Sequence, residues 1–503
     1  MKCIITIELG TNAVRIFAFD LNGIVIGSMK GFYPTFHSQP DYSEQDPEQI
    51  FITMLYVLKN LLNEKIHPKK YKVASICFSS SMHSMLAVDK HGVPLSNAFT
   101  WADNRAKNEA KEIRGSALAD AIYDSTGTPL HPMSPMLKIA WMKKNDAATF
   151  KQAGKFLSIK SYVIYQLTGE YLIDYSLACA TGMLNIHKIA WEKQALDFAG
   201  ITPDKLPQLV PVFASAGTLK KAYQNSLGLK EEIKILVGSS DGCMATLGAG
   251  IWNSNKATIT IEDSSAVRVV GNKMLHDEKK RVFNYLITED CFVSGGPSNS
   301  GGGIFEWFAK QFGDFTTAYD IESCMNNLLQ EATKVATGSE GILFLPYLLG
   351  ERAPIWNPDA RAMYFGINIK HERQHFIRAT IEGILYEIYS IGKMLNEHRN
   401  ISSLSVNGSF ATIPFCAQII SDMFNKPVDV TKNANSVSIG AFLLAATDMG
   451  IFKSLDEAAS QIEVGERYSP AENNHKIYMK YFEIFESLTN KLGDEFEKIA
   501  ALQ

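Results

Sequence analysis

The sequence predicts an α/β protein made of two related domains, divided at 1–252 and 253–503. Its 503 residues exceed what one hydrophobic core usually organises, so two domains of roughly 250 residues are expected. The opening has a strand-strand-strand-helix-strand order. A short string from that opening also recurs near the middle of the chain: Ile5-Thr6-Ile7-Glu8, a small polar turn and Ala13-Val14-Arg15 return as Ile259-Thr260-Ile261-Glu262, another turn and Ala266-Val267-Arg268. Self-similarity over such a distance points to duplicated halves.

Residues 2–7 and 14–20 are apolar runs on either side of a Gly-containing turn. Asn22-Gly23 then introduces a third run, 24–29, and Asn-Gly between β-type runs is a strong hairpin signal. Helical spacing takes over at 47–62, with Asp46 as N-cap and Pro47 at the first helical position. The run 73–78 is the next strand. Helices are expected at 135–144 and 158–167, the latter ended by Thr168-Gly169, as additions to the first half. A strand at 233–237 leads into a helical pattern at 241–251.

Apolar residues make up 46% and charged residues 20% of the chain, the balance of an ordinary globular protein. A net charge of −4 supplies no broad cationic field, which argues against nucleic acid or an anionic membrane as partner. The seven cysteines are scattered without zinc or disulfide spacing, as in a reducing cytoplasm. The N-terminal apolar run is too short for a signal peptide, and no apolar stretch of about 18 residues follows.

The chemistry-bearing motifs each have two readings. ELGTNAVR offers a tight turn, hydroxyls and a cation in Gly10, Thr11, Asn12 and Arg15, which suits either a phosphate site or a polar hairpin. Asp241 in GSSDG follows a strand and precedes a helix, as an N-cap would. It could equally serve as a general base taking the proton of a hydroxyl during phosphoryl transfer. SGGPSNSGGG (294–303) feeds a helix expected from about Ile304, and Asn407-Gly408-Ser409 ends another strand. Both suit close approach to phosphates or plain loops. A Walker-type loop is absent.

These strings together resemble the FGGY carbohydrate kinases, from about residue 3 to about 450. The resemblance rests on ELGTNAVR, YSEQDPEQI (42–50), SSSMHSMLAVD (79–89), TWADNRA (100–106), GSSDG (238–242), FLPYLLGERAPIWNPDAR (344–361) and SIGAFLLA (438–445). GTPLHPMSPMLKIAW (127–141), SIKSYVIYQLTGEYLIDYSLACATG (158–182) and GGPSNSGGGIFEW look like the gluconokinase branch. The resemblance implies two actin-like ATPase (ribonuclease H-like) domains, with a sugar deep in an interdomain catalytic cleft and ATP mainly against the second half.

By the same resemblance Asp241 becomes the catalytic base, and Gly10, Thr11, Asn12 and Arg15 a phosphate site. Met82, His83, Asp103 and Arg105 are the implied sugar contacts, and Ser264, Gly302, Gly408 and Ser409 the implied nucleotide contacts. Glu8 would act on Mg²⁺. A sugar acid needs a cation, expected at Arg105 or Lys160, with a solvated helix position as the other reading of Lys160. The implied reaction is ATP-dependent phosphorylation of gluconate to 6-phosphogluconate in the cytoplasm. A xylulose or related pentulose kinase, and a weakly active sugar-binding regulatory protein on a kinase scaffold, are the alternatives. Oligomeric state stays open, a homodimer being one option.

Two departures from the family pattern stand out. Glu8 occupies a position where Asp is usual, and Glu262-Asp263-Ser264-Ser265 replaces a Gly-containing phosphate turn. His371-Glu372-Arg373-Gln374-His375 matches H-E-x-x-H on an expected helix, with Glu382 and Glu387 as further carboxylates, but a zinc site needs a third ligand and an open position, and the resemblance implies an ordinary surface helix start here instead of a protease site.

Overall fold

The computed structural model describes residues 1–229, 233–252, 254–315, 320–432 and 435–502. The chain divides into two units. One comprises Met1–Asn253, Val270–Ser294 and Asn435–Ile462; the other comprises Ser254–Val269, Gly295–Ala434 and Glu463–Gln503. The chain first crosses between the units after Asn253, and two later segments return to the first unit.

The first unit is organised on a five-stranded sheet in the order Lys234–Ser240, Lys72–Ser80, Lys2–Leu9, Ala13–Asp20, Val25–Phe32. The three strands from Lys2 to Phe32 form an antiparallel meander, and Lys2–Leu9 pairs in parallel with Lys72–Ser80, which pairs in parallel with Lys234–Ser240. Alternate residues Ile5, Ile7 and Leu9 join the core with Val14 and Ile16. Helix Pro47–Leu61 covers that face through Ile50, Met54, Val57 and Leu61, a helical spacing. Asp46 caps it by accepting from the amides of Glu48 (2.8 Å) and Gln49 (3.2 Å). A Cβ on Gly31 would lie 2.6 Å from Val57, so the third strand is bare where the helix crosses it.

The expected additions are present as helices Pro135–Asn145 and Ile159–Thr168. A second apolar cluster, including Met85, Phe99, Met136, Leu137, Ile139 and Phe156, gives this region its own core. Helix Ser436–Asp448 returns because it lies unusually close to helix Asp241–Gly248. A Cβ on Gly440 would sit 2.0 Å from the Met244 carbonyl oxygen, and one on Gly248 would sit 1.9 Å from that of Ser436. Phe442 ties the same helix to the sheet, its ring 5.0 Å from that of Phe19 on strand Ala13–Asp20.

The second unit repeats the plan. Lys256–Ile261 pairs antiparallel with Ser265–Gly271 and in parallel with Ser403–Asn407, which is followed outward by Val428–Thr431 and Val464–Tyr468. Ile5 faces Ile76 across the parallel pair of the first unit, and Ile259 faces Val406 across that of the second. The repeated strings therefore occupy the same topological place. The 26-residue helix Arg373–His398 is buried along most of its length. Glu472–Lys491 packs through Tyr478, Phe482 and Phe485.

Candidate functional site

In the first unit, the parallel strands end together. Glu8 is opposite Ser79, and Ser79 is opposite Ser239. With strands about 4.8 Å apart, Glu8 and Ser239 are roughly 10 Å from each other along one edge. The loops that leave this edge are Gly10–Asn12, Ser81–Ser84 and the turn into Asp241. Ligands of open α/β sheets bind at such carboxyl ends.

The Gly10 turn is fixed from several sides. The Gly10 amide donates to the Ala13 carbonyl at 3.0 Å, and the Tyr33 hydroxyl and the Gln45 amide donate to the Gly10 and Thr11 carbonyls. Trp101 Nε1 donates to Thr11 Oγ1 at 2.9 Å. Arg15 pairs with Glu8 at 2.8 Å, so the one cation of the motif lies against its one carboxylate. Asn12 and Arg15 are exposed, and Glu8 is buried.

His83 is buried with φ +63°, a left-handed backbone that a non-glycine residue adopts only when its surroundings enforce it. Its Nδ1 lies 2.8 Å from the Ala180 carbonyl and so carries a proton, while Nε2 lies 3.5 Å from the Tyr285 hydroxyl. The fully buried Lys138 ammonium donates to the carbonyls of His83 (2.9 Å) and Thr100 (2.6 Å). Burial pushes its pKa down to about 7, against the pull of Asp103 and with the push of Arg105. Lys138 was missed by motif reasoning. Its signal is a lysine inside the apolar run Pro135-Met136-Leu137-Lys138-Ile139-Ala140, where no solvated face exists.

Asp103 is wholly buried and accepts from the Ser43 amide at 2.8 Å and from Arg105 Nε and a terminal guanidinium nitrogen, both at 2.8 Å. Arg105 also pairs with Glu44 and lies 3.7 Å from the ring centroids of Tyr42 and Phe99. Burial opposes the guanidinium charge, yet the Asp103 and Glu44 carboxylates outweigh it and hold the Arg105 pKa above its ordinary value. Met82 is half-buried in the bend before His83. Lys160 is not a solvated helix residue: it is fully buried in an ion pair with Asp174 at 2.7 Å. Ser240 is the N-cap of helix Asp241–Gly248, and Asp241 is its first residue, with one carboxylate oxygen 2.6 Å from the Gly242 amide.

In the second unit three loops are knitted together. The helix expected from Ile304 begins at Gly302, and the amides of Gly302 and Gly303 donate to the carbonyls of Glu262 (2.7 Å) and Asp263 (3.1 Å). Ser409 Oγ donates to a Glu262 carboxylate oxygen at 2.9 Å, and Gly408 has φ +93°, where a Cβ would sit 2.3 Å from the Ile261 carbonyl oxygen. Ser264 lies in the same turn, half-buried. The glycines permit this close packing. Glu351, wholly buried, anchors the loop by accepting from the Ser298 and Ser300 hydroxyls (both 2.8 Å) and the Asn299 amide (2.7 Å).

The H-E-x-x-H string lies only partly on a helix: helix Arg373–His398 starts after Glu372, so His371 precedes it while His375 is in its first turn. Glu382 is paired with Arg378 at 2.7 Å, and Glu387 accepts from the Tyr347 hydroxyl at 2.9 Å. Among the described residues, no group of three metal-compatible side chains includes His371 or His375. Among the same residues, no helix is long and apolar enough to cross a membrane.

A duplicated meander with parallel strands beyond it, bearing polar turns at the strand ends, defines the two-domain actin-like (ribonuclease H-like) fold of phosphoryl-transfer enzymes. Residues 3–248 match the model of the N-terminal domain of the FGGY family of carbohydrate kinases, and residues 257–449 match that of its C-terminal domain. The chain belongs to this family and is a carbohydrate kinase that uses ATP as phosphate donor. It is 35% identical to a gluconokinase of Bacillus subtilis over 99% of this chain and 97% of that protein. It is 29% identical to a xylulose kinase of Staphylococcus epidermidis over 97% of this chain and 96% of that protein. A solved gluconate kinase from Lactobacillus acidophilus superposes with a TM-score of 0.92 at 30% identity, covering 99% of both chains.

Proposed function

We propose that this kinase acts on gluconate, transferring the γ-phosphoryl group of ATP to the terminal hydroxyl to form 6-phosphogluconate. The observation that carries this reading is the end-to-end similarity to gluconokinases, 35% and 34% identical, against 29% for the xylulose kinases of Staphylococcus epidermidis and Bacillus subtilis. A xylulose kinase is the second reading, because a ligand-bound xylulose kinase from Lactobacillus acidophilus also superposes with a TM-score of 0.92 at 30% identity.

In this reading the first domain, 1–252, holds the sugar acid through Met82, His83, Asp103 and Arg105. The second, 253–503, holds the nucleotide at Ser264, Gly302, Gly408 and Ser409. Asp241 accepts the proton of the attacking hydroxyl. Gly10, Thr11, Asn12 and Arg15 face the transferring phosphoryl group, where an exposed cation and a tight turn offset its charge. The donors at this edge are oxygen atoms, the Glu8 carboxylate and the Thr11 hydroxyl among them, a set that suits Mg²⁺ sharing its shell with phosphates and water. Bound there, Mg²⁺ would supply neutralisation of phosphate charge. Seven buried thiols support a reducing cytoplasmic setting.

The test is ADP release measured on gluconate, xylulose, glycerol and ribulose with ATP and excess Mg²⁺. The highest kcat/KM is expected on gluconate. A higher value on xylulose replaces the substrate, and background turnover on the whole panel with sugar still bound replaces the enzyme reading by a regulatory one.

A further inference from the structure

Asp241 is carried by a strand that does not end regularly. In Lys234–Ser240 the register against Lys72–Ser80 shifts between Leu236 and Ser239. Within the shift Gly238 has φ +68°, and a Cβ there would sit 1.8 Å from the Phe78 carbonyl oxygen. Such a bulge re-aims the residues beyond it and leaves the new direction to be fixed by other contacts.

Those contacts come from two helices of the same unit, and they converge on the two residues before Asp241. Lys160 Nζ donates to the Ser239 carbonyl at 3.2 Å. Ser176 Oγ lies 2.7 Å from Ser239 Oγ and accepts from the Ser240 amide at 2.9 Å. Asp174 joins the two grips. One carboxylate oxygen pairs with Lys160 at 2.7 Å, and the other accepts from Ser176 Oγ at 2.5 Å and from the Ser176 and Leu177 amides at 3.0 and 3.2 Å. Lys160, Asp174, Ser176, Ser239 and Ser240 are all fully buried. A fully buried ion pair is weak evidence of net stability, because desolvation offsets much of its attraction. It is well suited to holding one geometry.

We propose that Lys160, Asp174 and Ser176 are positioning residues that set the direction of Asp241 through the backbone of Ser239 and Ser240. Lys160 then acts through Asp241 and is not a contact of the sugar carboxylate. This rests on Asp241 being the base of the kinase reaction. The two roles of Lys160 separate kinetically. A lost carboxylate contact raises KM for a sugar acid and leaves an uncharged sugar unaffected, whereas a misdirected base lowers kcat for every sugar. Misplacement of about 1 Å costs up to ~10²-fold in rate.

The experiment compares Ser176→Ala, Lys160→Met and Asp241→Asn with wild type in steady-state kinetics on gluconate and xylulose, with gluconate affinity measured by calorimetry. Ser176→Ala removes a single oxygen atom and keeps the chain's volume almost unchanged, so it reads the strap even where the lysine variant folds poorly. The expected result for Ser176→Ala and Lys160→Met is a fall in kcat of about tenfold or more on each sugar that wild type turns over. KM and affinity for gluconate should stay within about twofold. A wild-type kcat in Ser176→Ala overturns the proposal, as does a Lys160→Met variant whose gluconate KM rises while kcat is kept. Near-normal turnover in Asp241→Asn instead removes the base assignment on which the proposal stands.

Discussion

Replacing Lys138 with methionine should change how stability depends on pH. Lys138 is fully buried, with an ammonium whose pKa is lowered from 10.5 to about 7, chiefly by burial. Between these two values the unfolded chain holds a proton that the folded chain lacks, so folding becomes more favourable as pH rises through that window. The gain is complete above about 10.5 and is lost as pH falls through about 7. The slope approaches about 1.4 kcal/mol per pH unit, which amounts to about 2 kcal/mol between pH 7 and 9. The neutral amine keeps two N–H bonds, enough for the carbonyls of His83 and Thr100, whereas Lys138→Met leaves both without this donor at about 1–3 kcal/mol each. Near pH 7 that loss is partly offset by removing the buried charge. Wild type should therefore outlast the variant by a margin that widens by about 2 kcal/mol from pH 7 to 9. Urea unfolding followed by tryptophan fluorescence at pH 7, 8 and 9 measures it. A margin independent of pH refutes the reasoning, because Lys138 would then hold its proton equally in both states.

Asp241→Asn should lower kcat by about 10²-fold or more while gluconate affinity measured by calorimetry is kept, as expected for loss of a general base. Gly440→Ala forces a methyl group to within 2.0 Å of the Met244 carbonyl oxygen, and should cost about 1–3 kcal/mol, read as a fall of several degrees in thermal midpoint. Glu387 is held well above the usual carboxylate range by burial and then by the charge of Glu351, with the Tyr347 hydroxyl opposing. A raised carboxyl pKa gives stability that is full below about 4.5 and lost as pH rises, so Glu387→Gln should gain on wild type from pH 5 to pH 8 in differential scanning calorimetry.

The strands, the first helix and the duplication were legible because each is written in local pattern: Ile5 and Ile7 alternate, Asp46 and Pro47 mark a helix start, and Asn22-Gly23 marks a hairpin. The residues that motifs single out, Asp241 and the Gly10 turn, lie at the ends of parallel strands on one edge. What the sequence could not announce is how buried charge is matched. Lys160 and Arg105 look alike in the string, as cations available to a sugar acid, but the fold gives one to Asp174 and the other to Asp103 and Glu44. Asp174 and Ser176 carry no motif at all. Their significance comes from a parallel strand that reaches them some sixty residues later, a contact that no local periodicity encodes. The H-E-x-x-H string is a different case: its match to a zinc pattern is formal, and the helix starts inside the motif, at the ordinary helix start that the resemblance implies.

The Glu262-Asp263 turn is where sequence and structure bear on each other most closely. Glycine loss in a phosphate turn suggests a backbone forced out of shape, yet no residue from Glu262 to Ser265 has positive φ. The bonds that define the turn run from the Gly302 and Gly303 amides to the carbonyls of Glu262 and Asp263, and a backbone carbonyl accepts alike whatever side chain follows it. The glycines that close packing needs are on the other partners, Gly301 to Gly303 and Gly408. Electrostatics is where the substitution acts. Both side chains are exposed, and the Glu262 carboxylate accepts from the Ser409 hydroxyl, a neutral donor that leaves its charge in place. An exposed charge is screened within about 8 Å at physiological ionic strength. The departure therefore leaves a turn without left-handed backbone and adds two negative charges whose effect on a polyphosphate falls with salt.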